Sequence, residues 1–290
     1  MLTEVSLLRV IDDNGLVAPT MVVAFDAWVD AGSASTLAVG ALIDADAPIV
    51  AEFDADRLFD YRARRPTLDI LDGRPTKLDW PRLVVRRTRL GERDILVFTG
   101  PEPDFRWREL ADDVVSFARQ VEIEQWISLG AIPAAVPHTR PVPILGTESS
   151  PGLLRGGVEA GPRGRLRVPS AAISVLDVAL AEAGIPSLGY FAQIPHYVSG
   201  EYAPAAVALL EAVTRHLDVR VEAVSLRAEA EQIKTRLDTA TSLDEKTRNY
   251  VARLEEMVDE ERLPAGDELI SEIERFLRER GDAPGQGQIQ

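Results

Sequence analysis

The side chains best suited to chemistry fall in two short segments. Pro137-His138-Thr139-Arg140-Pro141 places a proton-transfer group and a bidentate anion donor two residues apart, between prolines. Pro195-His196-Tyr197 supplies a second imidazole beside a phenol. Histidine titrates near neutral pH, and arginine grips a carboxylate or phosphate through paired N–H groups. Two acids complete the candidate set. Glu102, in Gly100-Pro101-Glu102-Pro103-Asp104, could serve as a general base or hold a ribose hydroxyl. Asp30, in Phe25-Asp26-Ala27-Trp28-Val29-Asp30-Ala31-Gly32-Ser33, sits where free amides at a helix start could hold an anion. Each has a structural reading too. His138 and Arg140 can satisfy the backbone of a rigid turn, Asp104 can cap the helix bearing Trp107, and Asp30 and Ser33 can cap a helix while Trp28 fills the core. The structural reading is favoured for the Asp30 segment.

These candidates follow apolar runs. Trp126–Ala131 and Leu188–Ile194 read as buried strands, so both Pro-His pairs lie just past strand ends, where α/β folds bind ligands. Glu4–Ile11, Met21–Asp26 and Ile49–Phe53 also read as strands. Leu83–Thr88 and Asp94–Gly100 read as a hairpin turning at Leu90-Gly91-Glu92-Arg93. Helices are expected over Ser33–Asp44, capped by Ser33 or Ser35, and over Trp107–Val121, Ser170–Ala183 and Pro204–Leu217. Asp60–Gly73 reads as a polar surface excursion, and the glycine-rich Ser149–Arg165 as a flexible loop. Alternating strands and helices predict a sheet between two helical layers.

Past Val221 the chain is charged and free of strand signal. Glu222–Thr239 and Asp244–Arg262 read as helices, with Ser242-x-x-Glu245 as a capping box for the second. A last helix is expected over Asp267–Glu279. The expected organisation is an α/β domain over 1–220, a charged helical region over 221–280 and a disordered tail over 281–290.

Composition narrows the function. The chain of 290 residues carries a net charge of −15, which disfavours nucleic acid, since phosphate binding needs a basic surface. Arginine clusters at 62–65, 82–89 and 155–167 read as compositional bias. No apolar run approaches a membrane span of about 20 residues, and the absence of cysteine suits a reducing cytoplasm. The phosphate-binding Gly-x-x-x-x-Gly-Lys, the dinucleotide Gly-x-Gly-x-x-Gly and the nucleophile-elbow patterns are missing. Two histidines and scattered acids make no metal site. No metal or cofactor is expected.

Several motifs together resemble the PAC2 (proteasome assembly chaperone 2) family, in its actinobacterial branch. They are Phe25-x-x-Trp28-x-Asp30-Ala31-Gly32, Arg65-Pro66, Trp80-Pro81, Gly100-x-Glu102-Pro103-x-x-x-Trp107, Gly130-Ala131-x-Pro133-Ala134-x-x-Pro137-His138-Thr139-Arg140-Pro141, Pro195-His196-Tyr197 and Glu274-Arg275-Phe276-Leu277. The resemblance implies a three-layer αβα sandwich similar to purine nucleoside phosphorylase, with a C-terminal helical extension. It implies a non-catalytic interaction or assembly-chaperone-like scaffold. A homo-oligomer is expected, a trimer being the size suggested, because a lone monomer gives the charged C-terminal helices little to cover. The alternative is a small-molecule protein or enzyme, for a nucleoside or anionic metabolite, with His138, Arg140, Glu102 and His196 around one pocket. Ala27, Val29 and Arg165–Ser170 depart from the family pattern. The ending Gln288-Ile289-Gln290 lacks the penultimate tyrosine of proteasome-docking relatives, so tail insertion is not expected.

Overall fold

A computed structural model describes residues 6–44, 46–162 and 164–261. Its centre is an eight-stranded mixed sheet. Four parallel strands run side by side: β7 (Arg93–Pro101), β2 (Thr20–Asp26), β8 (Gln125–Ala134) and β10 (Ser187–Pro195). Antiparallel strands finish both sides. β6 (Val84–Leu90), β3 (Ile49–Phe53) and β1 (Leu8–Val10) continue outward from β7, and β9 (Ile144–Glu148) closes the other edge against β10.

Strand alternation builds the layers. In β2, Met21, Val23 and Phe25 enter one core and Val22 and Ala24 the other. In β7, Leu96 and Phe98 alternate with Ile95 and Val97 in the same way. Continuous apolar runs of this kind belong to strands covered on both faces. One face packs against α1 (Ala34–Gly40), α5 (Ala203–Leu217) and, in α6 (Val224–Leu243), against Leu226, Ala230 and Ile233. The other packs against Leu58 of the short α2 (Ala55–Leu58), α3 (Trp107–Gln120) and α4 (Ala172–Glu182). The expected α/β sandwich is present. The expected hairpin is β6–β7, with Leu90 paired to Arg93.

The structure corrects several local readings. The excursion after Asp60 contains a second, separate sheet, a hairpin of β4 (Thr67–Leu71) and β5 (Arg74–Asp79). The loop after β9 is pinned at its start, because the Glu148 carboxylate accepts from the backbone N–H groups of Gly152, Leu153 and Leu154 at 2.9–3.1 Å. Asp104 does not cap α3; its carboxylate accepts from Asp60 N–H at 2.8 Å. The capping box at Ser242 does not form. Ser242 lies within α6 and donates to the Thr239 carbonyl, while Asp244 accepts from Thr247 N–H at the start of α7 (Glu245–Glu261). The chain divides after Asp238 into two compact units, with α7 in the second. The helix expected over 267–279 and the tail lie outside the described residues. No helix among the described residues is long and apolar enough to cross a membrane.

Candidate functional site

The parallel strands end at one rim. β8 and β10 stay in register to Ala134 and Pro195, so the two Pro-His segments leave the sheet side by side. His196 is exposed, and its backbone N–H and ring Nδ1 both reach the Ala134 carbonyl at 3.1 Å. A carbonyl can only accept, so Nδ1 carries the proton. Tyr197 turns back instead. Its hydroxyl accepts from His138 N–H at 2.8 Å and lies 2.7 Å from His138 Nδ1. The phenol can donate to this nitrogen or accept from it, so the pair serves either tautomer of the His138 ring. That side chain is 1% exposed, and Nε2 makes no hydrogen bond; the carboxylate of Asp238 lies 3.3 Å away, outside bonding geometry.

His138, Thr139 and Arg140 line a groove of about 800 Å³ with Tyr202, Glu211 and Arg215 of the α5 segment and Arg227, Glu231, Lys234 and Asp238 of α6. Two of its cations are paired within the groove. Arg227 pairs with Glu211 at 2.5 Å and Lys234 with Glu231 at 2.9 Å. Glu102 and His196 do not line it. The four-residue pocket considered from sequence is therefore not assembled.

Glu102 works elsewhere. Its carboxylate accepts from Ala172 N–H at 2.7 Å and so caps α4, whose own preceding residue, Ala171, has no side chain for the task. Asp30 caps α1 with four hydrogen bonds, from the N–H and hydroxyl of both Ser35 and Thr36. Its carboxylate thus occupies the amides that an anion would need. Ser33 holds no cap bond and adopts a left-handed φ of 50°. Trp28 fills no core gap: it is 72% exposed.

Two polar groups between helix and sheet, the half-buried Asp177 and the fully buried His216, carry no sequence signal of their own. Asp177 of α4 accepts from Trp126 Nε1 at 2.8 Å and Ser128 Oγ at 2.5 Å, and burial pushes its carboxyl up to about 6 against those bonds. His216 of α5 lies against Tyr190 OH at 2.8 Å and Gln125 Oε1 at 3.0 Å. Burial, then the charges of Arg155 and Arg93, push it down to about 4. Each follows from a polar residue on an otherwise apolar strand, Ser128 and Gln125, facing a helix. Only that mismatch could have exposed them. Among the described residues no group of three metal-ligating side chains converges.

Fold and rim define a three-layer α/β protein with a polar groove beside the carboxyl ends of its parallel strands. Residues 24–241 match the PAC2 family, and the chain belongs to that family. A Corynebacterium glutamicum protein of unknown function is 30% identical, with 88% of this chain and 98% of that one covered at a TM-score of 0.81. A proteasome-assembly chaperone homologue of Mycobacterium tuberculosis is 33% identical over 80% of this chain and 99% of its own, with a TM-score of 0.73. A PAC2 family protein of Streptomyces avermitilis is 33% identical with the same coverages and a TM-score of 0.70. Comparison with curated proteins finds no match.

Proposed function

We propose that this chain is a protein-interaction scaffold of the assembly-chaperone kind and that it self-associates. Membership of the PAC2 family and the likeness to the mycobacterial chaperone homologue support the chaperone-like part. The observation that carries the reading is Trp28. A large apolar side chain, 72% exposed, stands at the strand rim on backbone that is tied down. Asp30 N–H bonds to the Ala27 carbonyl, Ala131 N–H bonds to the Val29 carbonyl at 2.6 Å, and Asp30 is bridged to Ala131. A ligand pocket encloses its aromatics. A docking surface displays one, and a rigid mount lowers the ordering cost of binding.

The test is a photoreactive amino acid at position 28 in the full chain, irradiated in extract of the source cells. A discrete protein adduct, absent when excess unmodified chain competes, is the expected result. Trp28→Ala should weaken that partner at least ~30-fold without moving the melting temperature. Failure to form any protein adduct sinks the reading.

One observation favours a second reading, a small-molecule site for a nucleoside or anionic metabolite: the unbonded Nε2 of buried His138 at the groove wall. The pairing of Arg227 and Lys234 weighs against it, because a phosphate clamp needs donors free to converge. Native mass spectrometry compared with the denatured spectrum separates the two. A small molecule retained only in the native state would establish the ligand site.

A further inference from the structure

The strand rim that carries Trp28 is built from loops bonded to one another. After β7, Glu102 N–H donates to the Asp26 carbonyl at the end of β2. The N–H groups of Asp104 and Phe105 donate to the Leu58 carbonyl at the end of α2. Arg64, a few residues on, reaches the Asp26 carboxylate at 3.7 Å. Phe105 therefore shares a rim with Trp28, and it is 50% exposed. The rim thus shows solvent two large rings on backbone that is held in place.

The charge around them is unbalanced. Each acid of these loops is already engaged. Asp26 faces Arg64, and Asp30 and Glu102 cap helices. Asp60 accepts from Arg62 N–H, and Asp104 from Asp60 N–H, both at 2.8 Å. The arginines are not so engaged. Arg62, Arg65 and Arg108 are exposed, and among the described residues none of them forms an ion pair. A chain of net charge −15 thus carries unmatched cations beside its exposed aromatics.

We propose that this rim takes an acidic segment of another protein, in which carboxylates flank one or two large apolar side chains. The rings supply the apolar anchors, the residue type that dominates binding energy at interfaces. The arginines offer paired N–H groups to carboxylates and attract them from a distance. A nucleic-acid strand fits less well, since it would bring a phosphate at every nucleotide against a molecule of net charge −15. The inference names the partner's chemistry for the Trp28 surface and rests on that reading.

The probe is a library of short random peptides displayed on phage. It is panned on the immobilised full chain and counter-selected on the Trp28→Ala chain. Peptides kept by wild type alone should carry a leucine or an aromatic residue with aspartate or glutamate on either side. One such peptide, made synthetically, is then titrated. Its dissociation constant should rise at least ~10-fold with Arg62→Glu/Arg65→Glu/Arg108→Glu and should rise with added salt, which screens exposed pairs. A circular dichroism spectrum and melting temperature equal to wild type show that the variant keeps its fold; if they change, the salt series on wild type decides. Selected peptides that are neutral or basic overturn the proposal, as do the absence of any Trp28-dependent peptide and binding that neither salt nor charge reversal weakens. Oligouridylate held through Trp28 would overturn it in favour of single-stranded nucleic acid. A photo-adduct at position 28 formed by the purified chain alone would place a second copy on the rim instead. If the adduct forms in extract but maps to a segment without acidic residues, this inference fails and the scaffold reading stands. If no protein adduct forms, the scaffold reading itself fails.

Discussion

At the scale of single residues, the histidine best placed for chemistry is first of all a lock. Tyr197 ties the backbone and the ring of His138 through one hydroxyl. Tyr197→Phe removes that oxygen and strands a backbone donor and a ring nitrogen in a part-buried site. Such groups cost about 1–3 kcal/mol when left unmade. Tyr197→Phe should lower stability by that amount in urea titration, with far-UV circular dichroism unchanged. A variant as stable as wild type would show that the tyrosine does not hold the turn. The pairing was half legible. Proline before each histidine and the apolar run before each proline located both segments at strand ends. That Tyr197 would turn toward His138 while His196 faced solvent depends on β8 and β10 being neighbours in register. Sequence spacing does not record which strands pair.

At the scale of elements, the acids legible as possible catalysts are helix caps. Asp30, legible in the sequence as a cap, stands four residues before Ala34. It reaches α1 because Gly32 and Ser33 turn through left-handed backbone, with φ of 63° and 50°. Gly32 is required there for a second reason: a Cβ would lie 2.9 Å from that of Tyr202. Glu102 caps a helix 70 residues away in the chain, a distance at which no local motif exists. Asp30→Ala should therefore cost about 2 kcal/mol or more, at the upper end for a lost cap, because four bonds go at once. It should also loosen the Trp28 loop, read as faster amide exchange over 27–31 than in wild type. Unchanged stability and exchange would return Asp30 to the ligand candidates. The core strands were legible because their apolar runs are long and continuous. The β4–β5 hairpin was not, since its leucines lie among arginines, aspartates and prolines and no core packing enforces their period.

At the scale of the whole molecule, two titratable groups packed on opposite faces of the sheet oppose each other in acid. His216 titrates at about 4 in the folded chain and near 6.5 when exposed. The unfolded chain therefore takes up this proton first. Stability is present above 6.5 and is lost as pH falls toward 4. Asp177 titrates at about 6 folded and 3.8 exposed, so here the folded chain takes up the proton first. Its stabilisation is present below 3.8 and is lost as pH rises through 6. Each shift corresponds to about 3 kcal/mol, so between pH 6 and 4 the two nearly cancel. The wild-type unfolding free energy should be almost level across that window. It should fall below it, where Glu52, Asp94 and Glu109, all held low by arginine partners, take up protons. Removing one group should expose the other. Asp177→Asn keeps an acceptor for Trp126 and Ser128 and should lose about 3 kcal/mol as pH drops from 6.5 to 4. His216→Gln should instead gain stability over pH 6 to 4, whatever its absolute level. Urea titrations at half-unit pH intervals read these slopes. If both variants run parallel to wild type, neither group governs the acid stability of the fold.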